Sequence, residues 1–183
     1  MRSFLFLLGS SRLGGNTETL ARNAAENLPT NVEQQWFNLA TMPLTDYADR
    51  RHVPGNRLHA APQGTEKLLL DATVAATDIV IASPTYWYTV SSSTKRYLDY
   101  WSDWFDIEEL GFKGRMAGKR LWVITALSEE PHQADALIDT LRRSAEYLKM
   151  EFGGALTGNG SKPDDVLADT EAMANAKVFF ASV

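Results

Sequence analysis

Short unbroken apolar runs alternate along the chain with stretches whose apolar residues recur every three or four positions. Phe4 to Leu8 is the first run, and a run of this length without polar interruption predicts a strand covered on both faces. Asn16 to Leu28 carries Leu20, Ala24 and Leu28 on one stripe with Ala21 and Ala25 beside it, and Pro29 stops it. This predicts a helix with Asn16 as its N-cap. Val32 to Leu39 predicts a second strand, and the polarity of Gln34 and Gln35 suits a sheet edge. Thr65 to Ala76 predicts a helix whose apolar side is Leu68, Leu69, Ala72, Ala75 and Ala76, and Asp78 to Ala82 predicts a third strand. A helix then starts near Ser91 to Ser93 and runs towards Trp104, with Tyr97, Leu98, Trp101, Trp104 and Phe105 at helical spacing. That aromatic stripe reads as core or as a dimer interface.

Lys119 to Ala126 contains a fourth strand, and Pro131 to Lys149 a helix marked by Ala134, Ile138, Leu141, Ala145 and Leu148. Glu151 to Leu156 predicts a fifth strand, followed by a polar loop from Thr157 to Lys162. Pro163, Asp164 and Asp165 suit the first turn of a last helix. Five repetitions of strand and helix predict an α/β domain with a parallel sheet, spanning residues 1–183 as one unit. Right-handed crossovers place helices on both faces. The segment Ala40 to Pro62, with Pro43, Pro54, Pro62 and charges of both signs, breaks the rhythm. A loop of this length is either functional or a solvated excursion.

Ligands in such sheets bind beyond the C-terminal ends of the strands, where strand order reverses. Three loops leave those ends with suggestive chemistry: Gly9 to Asn16, Pro84 to Thr89, and Leu127 to Pro131. In the first, a strand empties into Gly-Ser-Ser-Arg-Leu-Gly-Gly-Asn-Thr and becomes a helix. The first N–H groups of a helix lack internal acceptors and sit at the positive end of its dipole. Ser10, Ser11, Asn16 and Thr17 add hydrogen-bonding groups, and Arg12 adds a charge. This is the composition of a phosphate cradle. It matches neither the dinucleotide pattern GxGxxG nor the Walker pattern GxxxxGK[ST].

The bulk properties narrow the alternatives. The formal net charge of −5 over 183 residues argues against nucleic acid or an anionic membrane as the main partner. With no cysteine, disulfides, thiolate nucleophiles and thiolate metal sites are excluded, and a cytoplasmic setting fits. No stretch approaches the ~20 apolar residues of a membrane span. His52, His59 and His132 lack metal-ligand spacing. His52 or His59, with Tyr47, would line a pocket over the site if the long loop folds across it; the alternative is that they are solvated polar residues.

The loop GSSRLGGNT after the first strand, with SPTYWYTVSSSTKRYLD from Ser83 to Asp99 after the third, resembles the flavodoxin-like NAD(P)H-dependent FMN reductases and quinone reductases. The resemblance extends over essentially the whole chain. It implies a three-layer flavodoxin-like sandwich with a five-stranded parallel sheet in the order 2-1-3-4-5. It implies FMN as cofactor, with NADPH or NADH as co-substrate and a quinone or other small molecule as electron acceptor. Ser10, Arg12, Asn16 and Thr17 would hold the FMN phosphate. Pro84, Thr85, Tyr86 and Trp87 would pass the edge of the flavin ring, mainly through backbone groups, and N–H groups from Thr85 to Tyr88 would stabilise charge on the reduced ring. The chemistry would lie on flavin N5, with no catalytic side chain and no metal. A homodimer, or a dimer of dimers, is implied as well. Lys95 and Asp99 match the pattern in a structural role.

One departure bears on function. The loop after the fourth strand is glycine-rich in many relatives, but here it reads Ala126-Leu127-Ser128-Glu129-Glu130. Two carboxylates beside an anionic cofactor would repel it, so either this loop stands back from the ring or FMN binding is weakened. A flavodoxin-type electron carrier and a flavin-free binding or regulatory member of the fold are the alternatives.

Overall fold

The computed structural model describes residues 2–49, 61–181 and 183. Its sheet has five strands in the order β2-β1-β3-β4-β5, and every pairing is parallel. The strands are β1 (Ser3–Leu8), β2 (Glu33–Asn38), β3 (Asp78–Ala82), β4 (Arg120–Leu127) and β5 (Glu151–Asn159). Between and after them run α1 (Asn16–Ala25), α2 (Gly64–Ala75), α3 (Ser92–Asp106), α4 (Phe112–Met116), α5 (Asp135–Tyr147) and α6 (Thr170–Val178). This is the flavodoxin-like three-layer arrangement. No helix among the described residues is long and apolar enough to cross a membrane.

Alternate residues of each central strand face opposite layers. Leu5, Leu7, Ile79, Ile81, Leu121 and Val123 pack with α2, α3, α4 and α5. Phe4, Phe6, Val80, Trp122 and Ile124 pack with α1 and α6. Burial on both faces is why β1, β3 and β4 read as unbroken apolar runs, and the exposed edge is why β2 does not.

Several local expectations are corrected. Gly15, not Asn16, is the N-cap of α1. The Asn16 side chain instead donates to Lys162 O at 2.8 Å and accepts from Val166 N at 3.3 Å, joining α1 to the loop after β5. The α2 face is rotated: Leu70 and Thr73 are buried, while Leu68 is exposed. Thr73 is admitted because its hydroxyl bonds Leu69 O and Tyr97 Oη at 2.6 and 2.7 Å. In α5 Leu137 is buried and Ile138 only partly so.

β5 continues through Thr157, Gly158 and Asn159, so the polar loop begins later than its composition suggests. The close packing of β5 requires two glycines. A Cβ on Gly153 would meet the Trp122 ring at 2.5 Å, and one on Gly158 would meet Val166 Cγ2 at 2.7 Å. Asp165–Ala168 forms a 3-10 turn, and α6 starts only after Asp169, whose carboxylate accepts from Ala172 N at 3.0 Å. α4 has no periodic signal in the sequence, being one short turn that buries Phe112 and Met116. Lys95 and Asp99 form an ion pair along α3.

Candidate functional site

The site is built where β1 and β3 lie side by side, because the chain leaves β1 for one edge of the sheet and continues from β3 towards the other. Strand order reverses there, and the loops after the two strands must diverge and leave a crevice. Residues 9–15 form the first wall. Gly9 N donates to Ala82 O at 2.8 Å, and Gly9 O accepts from Ser93 Oγ at 3.0 Å. A Cβ at Gly9 would fall 2.0 Å from Thr94 Oγ1, so only glycine lets this loop meet the start of α3. The loop then folds on itself. Ser10 Oγ accepts from Arg12 N and donates to Arg12 O, both at 3.1 Å. Gly14 turns the chain with a φ of +62°, a left-handed conformation that favours glycine. The N–H groups of the first turn of α1 follow, with Thr17 buried but lining the crevice.

Residues 84–90 form the second wall. The N–H of Tyr86 donates to Thr89 O at 3.0 Å, and that of Thr89 returns to Tyr86 O at 3.1 Å. Trp87 and Tyr88 span this two-residue turn with φ of +49° and +65°. Both central residues are therefore left-handed, the geometry of a type I′ turn, normally filled by Asn-Gly. Two bulky aromatics here are strained, and such strain gathers at functional sites. Trp87 is 92% exposed.

The third wall is the end of β4 and the loop after β5. Thr85 N donates to Ala126 O at 3.2 Å, and the Thr85 and Thr125 hydroxyls lie 2.9 Å apart. Gly160 N donates to Leu127 O at 2.8 Å.

Together these walls enclose a cleft of about 260 Å3. Ser10, Arg12, Asn16, Thr17, Pro84, Thr85 and Tyr86 all line it. Trp87 is the candidate left out, since the turn carries it past the rim. The expectation that amides from Thr85 to Tyr88 face the ring needs correction. The Thr85 and Tyr86 N–H groups are held by Ala126 and Thr89, which leaves the tip amides of Trp87 and Tyr88. The acidic loop divides. Ala126, Leu127 and Ser128 line the cleft, whereas Glu129 lines a neighbouring hollow of about 140 Å3 and Glu130 lines neither. Sequence reasoning gave no site role to Gly160 and Ser161, which also line the cleft. The signal was a Gly- and Ser-containing loop leaving the C-terminal end of a parallel strand. His52 and His59 lie outside the described residues. Tyr47 packs edge-on against Tyr100 with ring centroids 6.2 Å apart.

The donor set fits FMN. A phosphate calls for converging donors and a cation free to pair with it. The Arg12 side chain makes one hydrogen bond, from Nη1 to Ser161 O at 3.3 Å, and no ion pair among the described residues. The first-turn amides of α1 and the Thr17 side chain stand beside it. Pro84, Tyr86, Ala126 and Leu127 supply the flatter, apolar part that a ring system needs.

The comparisons with known proteins bear on the fold and the family. YwqN of Bacillus subtilis (strain 168), named as an NAD(P)H-dependent FMN-containing oxidoreductase, is 27% identical over 170 residues, 92% of this chain and 91% of its own. The structure of the Trp repressor binding protein from Bacillus subtilis superposes with a TM-score of 0.73 at 22% identity, over 96% of each chain. That of an NADPH-quinone reductase from P. pentosaceus gives 0.64 at 16% identity, over 100% of this chain and 99% of that one. The model of the NADPH-dependent FMN reductase family matches residues 2–162. With that match covering the sheet, both loops and the cleft between them, the chain belongs to the NADPH-dependent FMN reductase family and is an NAD(P)H-dependent, FMN-containing oxidoreductase.

Proposed function

We propose that the cleft binds FMN with its phosphate on the loop of Ser10, Arg12, Asn16 and Thr17 and its ring along Pro84, Thr85 and Tyr86, and that the protein reduces a quinone or another small acceptor at the expense of NAD(P)H. Bound there, FMN supplies hydride exchange between the nicotinamide and the acceptor. Everything else is the work of the chain. Arg12 neutralises phosphate charge, and the first turn of α1 directs N–H groups at it. Asn16 acts through its backbone, because its side chain is committed to Lys162 and Val166. Pro84, Ala126 and Leu127 exclude water from one side of the ring. The tip amides of Trp87 and Tyr88 are the donors on this loop available for developing negative charge. Trp87, exposed beside the mouth, offers a planar surface to an aromatic acceptor.

The observation that carries this reading is the convergence of two loops, distant in sequence, on one cleft at the reversal of strand order. The test is an anaerobic absorption experiment. Purified protein is mixed with FMN, desalted, and treated with NADH and then NADPH. The expected result is a retained flavin spectrum that bleaches with a nucleotide and recovers on adding a quinone. A retained flavin that neither nucleotide bleaches would replace the reductase with an electron carrier, and no binding at saturating FMN would remove the cofactor assignment.

We also propose a homodimer. Its support is an apolar groove of about 500 Å3 between α3 and α5, lined by Leu98, Trp101, Phe105 and Tyr147. Sedimentation of a single monomeric species at micromolar concentration would rule the dimer out.

A further inference from the structure

The tip of the phosphate loop has almost nothing to lean on. Leu13 is 72% exposed, and beyond its two neighbours in the chain nothing lies within 4 Å of where a Gly14 side chain would begin. Yet this tip joins Arg12 to Gly15, both on the cleft wall. It is tied from behind by one carboxylate: Gly14 N donates to Glu18 Oε2 at 2.9 Å. Glu18 is only 9% exposed, and its other oxygen, Oε1, receives Arg22 Nε at 2.9 Å and Arg22 Nη2 at 2.7 Å. The Arg22 guanidinium lies over the Trp36 ring, 4.5 Å from its centroid. Trp36 in turn stacks on the fully buried Phe6 at 3.9 Å with an interplanar angle of 5°. An unbroken series of contacts therefore runs from the core through Trp36, Arg22 and Glu18 to the free end of the loop.

A carboxylate so near an anion site is unfavourable by charge alone. Glu18 also takes one amide, that of Gly14, out of the set that could face a phosphate. Both effects oppose anion binding. Against them stands the cost of fixing a solvent-exposed tip when the ligand arrives, a cost that a loop already held in place does not incur.

We propose that Glu18, clamped by Arg22 on Trp36, is a positioning residue that pre-forms the phosphate loop, so that its removal weakens FMN binding although it removes a negative charge. The inference rests on the cofactor assignment proposed above. It concerns the phosphate specifically, which separates it from a general structural role: riboflavin has the same ring without the phosphate and does not use the loop.

The experiment measures FMN and riboflavin affinities by flavin fluorescence quenching for the wild type and for Glu18→Ala, Glu18→Gln and Arg22→Ala. Thermal melts of each protein without flavin check folding. The wild type is expected to prefer FMN. Glu18→Ala is expected to lose about tenfold of that preference, the scale of one charge-assisted hydrogen bond, with riboflavin affinity unchanged. Glu18→Gln leaves a single carbonyl oxygen where the carboxylate serves Gly14 and Arg22 with two, so its loss is expected to fall between wild type and Glu18→Ala. Arg22→Ala, on the exposed side of the pair, is expected to show a smaller loss and keeps the test available if Glu18→Ala does not fold. FMN affinity that rises in Glu18→Ala or Glu18→Gln would mean that charge outweighs positioning and would overturn the inference. Equal losses for FMN and riboflavin would overturn it by showing a structural role. A wild type that binds both flavins equally would overturn the phosphate-loop assignment itself and this inference with it.

Discussion

Arg12 is the residue on which the cofactor assignment is most exposed to test. Its guanidinium reaches across the mouth of the cleft to a single backbone carbonyl, so the fold does not depend on its charge. Arg12→Ala is expected to weaken FMN binding by about tenfold to a hundredfold, the range of a hydrogen bond between charged groups. Its midpoint of urea unfolding should stay at the wild-type value, and titration and denaturation together check both halves. The residue types of this loop were legible in the sequence because glycine, hydroxyl and cationic residues between a strand and a helix have few other uses. The individual roles were not. Asn16 looks like an N-cap, but its amide is needed to hold the loop after β5, a partner some 150 positions away in the chain. Glu18 looks like an ordinary acid in a first helical turn, and its reach back to Gly14 depends on a loop conformation that residue types do not encode.

Among the elements, the turn at Trp87 and Tyr88 carries the clearest conflict between local preference and observed geometry. Left-handed conformations at non-glycine residues cost of the order of 1 kcal/mol each or more. Replacing the pair by Trp87→Asn with Tyr88→Gly is expected to stabilise the protein by roughly 1–3 kcal/mol. The readout is a higher denaturant midpoint at unchanged slope, accompanied by poorer use of aromatic acceptors in steady-state assays. The strands and long helices were legible because burial on two faces imposes unbroken runs and burial on one imposes a stripe. Expectations failed where a residue met its needs tertiarily: Thr73 enters the core on the strength of Tyr97, and Gly158, in the stretch by which β5 runs on past Leu156, stands where a larger residue would strike Val166. In each case the deciding contact comes from another element.

At the scale of the whole molecule, the two ends of the sheet are specialised. At the end opposite the cleft, the fully buried Asp78 carboxylate accepts from Arg2 Nη2 at 2.6 Å and Trp122 Nε1 at 3.0 Å, and it receives the Thr77 hydroxyl at 2.7 Å. These bonds tie β1, β3 and β4 together. Between the ends, burial pushes the Tyr97 phenol up to about 12, while an unfolded tyrosine titrates near 10. The unfolded chain therefore loses this proton first, so the stabilisation is complete below pH 10 and disappears as pH rises through 12. Lys119, drawn below its ordinary value mainly by partial burial, acts in the opposite sense. Unfolding free energies from urea titrations between pH 9 and 12 should fall in the wild type with a limiting slope of about 1.4 kcal/mol per pH unit from this group, a component absent in Tyr97→Phe. The five tryptophans are also divided by the fold. Trp101, Trp104 and Trp122 are buried, Trp36 is sandwiched between Phe6 and Arg22, and Trp87 stands almost wholly in water. The protein thus carries a reporter at the mouth of its own cleft. The red-edge emission that acrylamide quenches first is expected to come from Trp87 and to vanish in Trp87→Phe, which would make arrivals at the cleft visible by fluorescence without any added label.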